Sequence, residues 1–190
     1  MTEEQLHRTL NSGRLSKTEI NQLVTQLLNF PELTPCLLHE VFIEDKAGTF
    51  NASWAFDHLM RKKLEYLLPS FEIFAQGLKE LQSESCIRPM AHVCELVTAE
   101  YFERKNAQFQ RDISSEQLEL ILTSCFDWLI GKHKAAAKVF AMTSLYHLGS
   151  KYEWVHPELK LVLHNTMVEG SIGYKNRAKK TLNKLAQLEH

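Results

Sequence analysis

Apolar residues recur three and four positions apart along most of the chain. Ile20, Leu23, Val24, Leu27 and Leu28 form one such stripe, and Leu118, Leu122, Cys125, Phe126 and Leu129 form another. That spacing gathers each set on one face of an α-helix. No segment alternates apolar and polar residues over a strand's length with β-branched enrichment, and only seven glycines punctuate 190 residues. The expected class is all-α.

Caps and breakers place the boundaries. Ser16 stands before a helix that should stop near Asn29, because Pro31 disfavours helical geometry in the residue before it. The stretch PELTPCLLHEVF then restarts with proline in its first turn. Lys46 to Thr49 reads as a turn, Asn51 to Tyr66 as a helix, and Pro69 as the opening of a further helix to about Leu81. A helix with Pro89 near its start runs to about Arg104, and Ser114 with Gln117 has capping-box spacing ahead of a helix to Ile130. Further helices are expected at about Lys134–Leu148, Pro157–Val168 and Ser171–Gln187. Within FNASWAFDHLM, Ala52, Ala55, Phe56, Leu59 and Met60 make the inner stripe, and Trp54 is left to bridge to a neighbouring helix.

The chain also echoes itself. HLMRKKLEYLLP, starting at His58, and HLGSKYEWVHP, starting at His147, share H-L-x-x-K, then Glu, an aromatic, an aliphatic, any residue and Pro once a single residue is deleted. Their separation is two units of about 44 residues. Helix pairs at this period, with proline near the start of the second helix, resemble HEAT or armadillo-type repeats over about Thr18 to Gln187. The resemblance implies one domain over residues 1–187, an α-α superhelix of about four helix pairs whose curved face binds a partner. The chain is also similar to a group of short bacterial helical-repeat proteins often labelled adenylosuccinate lyase. The Ser-Ser-x-Met-Pro-x-Lys-x-Asn signature of the true lyases has no counterpart here.

Composition narrows the function classes. With a net charge of -1 the chain has no global attraction to nucleic acid or acidic lipid, and no run of about 18 apolar residues occurs. The acidic, polar start MTEEQLHRTL leads to the expectation of a cytoplasmic protein. Cys36, Cys86, Cys94 and Cys125 are scattered, without a C-x-x-C pair, and read as reduced core residues. The closing Leu188, Glu189 and His190 read as the start of a vector-encoded tag.

No catalytic motif emerges. Asp57 and His58 are adjacent, so they point to different sides of a helix and cannot act as an orienting pair. His58 and His147 recur in the echo, as structural positions do. Glu153 and His156 form an E-x-x-H directly before Pro157, GSIG is not a nucleophile elbow, and GKHK lacks the glycine and hydroxyl of a phosphate loop. No metal or cofactor is expected. The bases Arg61, Lys62 and Lys63 complement the negative end of their helix.

One stretch stands out by charge. Gly170 to Gln187 carries Lys175, Arg177, Lys179, Lys180 and Lys184 with no acid, whereas residues 1 to 50 carry seven acids and four bases. Ser171 can cap that last helix, and Ser171, Tyr174, Lys175, Arg177 and Lys180 make a candidate cradle for an acidic or phosphorylated partner segment. Its structural alternative is a solvated final helix. The expected function is an interaction or scaffold module for a protein partner. A nucleic-acid-binding protein like the HEAT-like DNA glycosylases of the AlkD type is the alternative, and a small-molecule enzyme would need a deep polar pocket between helix pairs.

Overall fold

A computed structural model describes residues 1–43 and 47–188 of the chain. Its helices are α1 (Glu3–Leu10), α2 (Lys17–Leu27), α3 (Thr34–Phe42), α4 (Ala47–Met60), α5 (Phe71–Gly77), α6 (Glu84–Thr98), α7 (Ala107–Asp112), α8 (Ser115–Ile130), α9 (Ala135–Leu148), α10 (Val155–Thr166) and α11 (Ile172–Leu188). No strand occurs among the described residues, so the class is all-α. None of these helices is long and apolar enough to cross a membrane. The chain gathers into two compact units, Met1–Val93 and Cys94–His190.

In the first unit α4 is the element against which α1, α2 and α3 pack. Its inner stripe is closed to solvent, with Ala52, Ala55, Phe56, Leu59 and Met60 at most 1% exposed. Three of the four residues at positions 52–55, Ala52, Ser53 and Ala55, are small and fully buried where neighbouring helices pack. Helix α1 fell outside the elements expected from sequence. Its signal was present: Thr2 and Gln5 form a reciprocal capping box, and Leu6 and Leu10, one turn apart, are buried. Ser16 and Glu19 form the same motif at the start of α2.

Two boundaries differ from expectation in this unit. Lys46 lies outside the described residues, but Ala47–Thr49 form the first turn of α4 and not a loop. Gly48, which reads as a turn residue, serves packing: a Cβ there would sit 2.6 Å from Asn11 Oδ1. At the other end α4 stops at Met60, six residues early, where three successive cations follow and Lys62 and Lys63 both donate to the Leu59 carbonyl. Pro69 therefore sits inside a 3₁₀ helix, Leu64–Ser70, and α5 begins after it. Phe56, Phe71 and Phe74 form the aromatic centre of the unit, with centroids 6.3 Å (Phe56–Phe74) and 5.7 Å (Phe71–Phe74) apart.

In the second unit α9 is the hub, packed by α8, α10 and α11. Ala137, Ala141, Met142, Leu145 and Leu148 are fully buried along it. The Ser114–Gln117 capping box opens α8 as the sequence indicated. Helix α6 extends beyond Thr98 by a π-helical turn, Ala99–Glu103, and α7 follows from an Asn106 cap. Leu188 closes α11, while Glu189 and His190 of the expected tag remnant lie outside the described residues.

The two echoed segments share a helix exit. His58 and His147 each lie within the last three residues of their helix, α4 and α9, and a turn then leads to the next helical element. Their surroundings differ. His58 is half-buried with Nδ1 3.2 Å from Asn21 Oδ1, whereas His147 is 5% exposed and packed in the core.

Candidate functional site

Between the N-terminal halves of α9 and α11 lies a cleft of about 460 Å³. The α9 side supplies Ala135, Ala136, Val139 and Phe140, and the α11 side supplies Gly173, Tyr174, Asn176, Arg177 and Lys180. Why apolar residues remain available there follows from the sequence of α9. AAAKVFAM is apolar on more than the one face that α8 and α10 cover, so a second face is left half-exposed. The result is an apolar floor with two cations and an amide on one wall.

Three of the five residues singled out from sequence, Tyr174, Arg177 and Lys180, line this cleft. Ser171 and Tyr174 line an adjoining hollow of about 390 Å³, which also takes His133, Lys138 and Glu169. Lys175 lines neither and is half-buried.

The side chains differ in how committed they already are. Ser171 Oγ accepts from the Tyr174 amide at 3.3 Å, so it caps α11 as expected. Tyr174 is 3% exposed and its hydroxyl lies 2.6 Å from Thr166 Oγ1. Since the Thr166 hydroxyl donates to the Val162 carbonyl, the tyrosine is the donor in that pair. Burial pushes the Tyr174 phenol above its ordinary value. It is a neutral wall between the two hollows.

Arg177 is anchored. Its Nη1 donates to Glu95 Oε1 at 3.1 Å and to Thr143 Oγ1 at 2.6 Å, tying α11 to α6 and α9. Half of its guanidinium fork is thereby fixed in direction, and the ion pair offsets its charge. Lys180, one turn on, is exposed on the same rim. Sequence reasoning did not reach Glu95 or Thr143, because nothing local marks partners 82 and 34 positions away. Lys184, a further turn along, sits 5.1 Å from the Tyr146 ring centre, a cation–π contact.

A second surface lies on α4. Phe50, Trp54 and His58 follow one another a turn apart as its half-exposed stripe, with centroids 5.6 and 5.9 Å apart. The Arg14 guanidinium lies 4.0 Å over Phe50 and that of Arg88 5.7 Å from Trp54, so Trp54 does reach the neighbouring α6. Asp57 faces away from His58, as adjacent helix positions must. It is held by His92 Nδ1 at 2.6 Å and Arg61 Nη2 at 3.3 Å. Arg61 thus has an ion-pair partner one turn back, beyond the helix-end role the sequence suggested. Burial, followed by the charge of Arg61, lowers the pKa of His58.

Other chemistry-bearing groups are structural. The His147 Nδ1 lies 3.2 Å from Thr98 Oγ1, whose own proton is directed at the Cys94 carbonyl, so the ring N–H donates. Its pKa is lowered by burial, with Glu103 opposing. Burial, with Glu3 and Glu40 nearby, pushes the Cys36 thiol up to about 11, which keeps it protonated and unreactive at neutral pH. Among the described residues no group of three or more His, Cys, Asp or Glu is placed to hold a metal ion. Comparison of the chain with protein-family models, curated proteins and solved structures gives no match.

Proposed function

We propose that the protein is an interaction module whose α9–α11 cleft takes a short acidic segment of a partner protein, apolar on one side. The carrying observation is the pairing of an apolar floor (Val139, Phe140) with a cationic rim (Arg177, Lys180) in one cleft. An aliphatic or aromatic side chain on the floor would bring a neighbouring carboxylate or phosphate to Lys180 and to the outer edge of Arg177, which the Glu95 anchor holds in place. The HEAT-like arrangement expected from the echo is part of the same reading. It is supported by the common helix exit after His58-Leu59 and His147-Leu148. A cytoplasmic setting belongs to the same reading, since cysteines held as thiols suit a reducing compartment.

Fluorescence anisotropy with labelled peptides tests the proposal. A Cβ built on Gly173 meets nothing within 4 Å, so Gly173→Leu would fill the cleft without disturbing its walls. Acidic peptides carrying Leu or Phe should bind, and their phosphoserine versions more tightly. Gly173→Leu and Lys180→Glu should each weaken binding at least about tenfold, a change of about 1.4 kcal/mol, with the helical circular dichroism unchanged. Equal binding by Lys180→Glu would sink the idea.

The aromatic stripe on α4 favours a second reading, binding of single-stranded nucleic acid, since Phe50 and Trp54 are interleaved with Arg14 and Arg88. A gel shift that weakens with salt and disappears in Trp54→Ala would support it. No shift at low salt would remove it.

A further inference from the structure

The hollow beside the cleft, about 390 Å³, carries chemistry that an acidic segment does not use. Lys138 of α9, Asn165 of α10, and Glu169 and Ser171 of the link into α11 line it, and it shares Ala135 and Tyr174 with the cleft. Ser171 Oγ accepts from the Tyr174 amide and keeps its own proton to donate. Of the other polar groups there, His133 already has a partner, and the Thr166 hydroxyl is spent between the Val162 carbonyl and Tyr174. Among the described residues, the Lys138, Asn165 and Glu169 side chains have no hydrogen-bond or ion-pair partner. Lys138 is half-buried, so it has lost part of its water without gaining a carboxylate. The hollow thus sets an unspent cation and an unspent anion around a polar space, and leads past an aromatic ring to the apolar floor of Val139 and Phe140.

That pattern selects a ligand class. A plain anion would gain from Lys138 but meet the Glu169 carboxylate, and a plain cation would meet the reverse. A ligand carrying both charges gains at both walls, through a charge-assisted hydrogen bond at each. We propose that the hollow binds the zwitterionic end of a free α-amino acid with an apolar side chain. Its carboxylate accepts from Lys138, the Asn165 amide and the Ser171 hydroxyl, its ammonium donates to Glu169, and its side chain passes Ala135 and Tyr174 to lie on Val139 and Phe140. The two spaces, about 390 and 460 Å³, each fall in the range of about 300–1,000 Å³ usual for small-molecule sites. Neither Lys138 nor Glu169 lines the cleft, and Lys180 does not line the hollow. The amino acid and the acidic segment therefore share the apolar floor but answer to different charges, and the inference stands whether or not the segment binds.

NMR titration of the isotope-labelled full chain with phenylalanine, up to about 10 mM, tests this. Saturable shifts should centre on the amides of Gly170, Ser171 and Gly173. Serine lacks the apolar side chain, N-acetylphenylalanine the ammonium and phenylalaninamide the carboxylate, and each should bind at least about tenfold more weakly. Glu169→Gln should lose affinity for phenylalanine and cease to distinguish it from N-acetylphenylalanine, and Lys138→Gln should do the same against phenylalaninamide, with the circular dichroism of both unchanged. Lys180→Glu, which should weaken acidic-peptide binding, should leave phenylalanine affinity within about twofold, so the two readings fail separately. No shift with phenylalanine at the highest concentration, or wild-type affinity in Glu169→Gln, overturns the proposal. Phenylalaninamide binding as tightly as phenylalanine also overturns it, in favour of capture of a peptide's amino terminus.

Discussion

Replacing Asn51 tests how the first unit is closed. The side chain is fully buried. Its Nδ2 donates to the Leu10 and Gly13 carbonyls, both at 2.7 Å, and its Oδ1 accepts from the Leu15 amide at 3.0 Å. Three of the four hydrogen-bonding sites of one amide are thus directed at the end of α1 and its link to α2, where Gly13 adopts φ +123°. Asn51→Ala removes three bonds and leaves three backbone groups without partners. The bond to Leu10 is buried and the other two are part-buried, so water can relieve the latter in part. About 1–3 kcal/mol for the buried carbonyl and about 0.5–1.5 kcal/mol for each of the others gives an expected loss of about 3 kcal/mol. Asn51→Asp is the sharper probe. It retains the acceptor for Leu15 but sets a carboxylate against two carbonyl oxygens. It should therefore be less stable than the alanine variant at neutral pH and recover as acid protonates the carboxyl, which then donates one bond. Urea unfolding followed by circular dichroism at two pH values reads this directly. A loss below about 1 kcal/mol for Asn51→Ala, or an aspartate variant no worse than alanine at pH 7, refutes the stapling role.

Gly149→Ala should destabilise the second unit by about 1–3 kcal/mol. The backbone there is already helical (φ -61°), but a Cβ would fall 1.9 Å from His156 Cδ2, and that ring is pinned by its 2.8 Å bond to the Tyr146 carbonyl and its stacking on Tyr146. His156→Ala in the same chain should recover most of the loss, as a double-mutant cycle would show. Stability should also fall with acid below the ordinary histidine value of 6.5, because His147 and His58 have lowered pKa values when folded. Above that pH both rings are neutral in either state. Below it the unfolded chain takes up protons that the folded chain resists, until the folded values are passed. Denaturant titrations at pH 7.5 and 5.5 should show this loss, and His147→Gln should make it smaller. Glu95→Gln should loosen the anchor of Arg177 and weaken acidic-peptide binding while leaving urea unfolding within about 1 kcal/mol of wild type, since the pair is only partly buried.

Where the chain punctuates itself chemically, its helices were legible. Ser16 and Ser114 both read as helix starts, Ser114 by its capping-box spacing to Gln117, and in the structure each hydroxyl and the acid or amide three residues on satisfy each other's backbone amides. The misread boundary after α4 came from treating Pro69 as a helix opener. A proline lacks one amide donor in either geometry, so the letter alone does not separate the start of an α-helix from the interior of a 3₁₀ turn. The basic character of α11 was visible as charge, and its Ser171 cap as spacing. The other wall of the cleft was not visible, because nothing in the sequence marks Val139 and Phe140 as half-exposed until α8, α10 and α11 are placed around α9.

The same tertiary placement decides which of the basic residues can recognise anything. Counted along the sequence, Arg177 and Lys180 are equivalent cations one turn apart. In the fold, Arg177 is bound to Glu95 and Thr143, while Lys180 projects from the rim. An anchored guanidinium costs less entropy to use than a free one but brings less net charge, because a carboxylate already neutralises it. Recognition at this cleft should therefore divide between the two: Arg177 for direction and Lys180 for charge. Lys180→Arg should preserve binding and its salt dependence, whereas Arg177→Lys, which loses the fork that reaches both Glu95 and a ligand, should lose selectivity among acidic peptides more than affinity for any one of them.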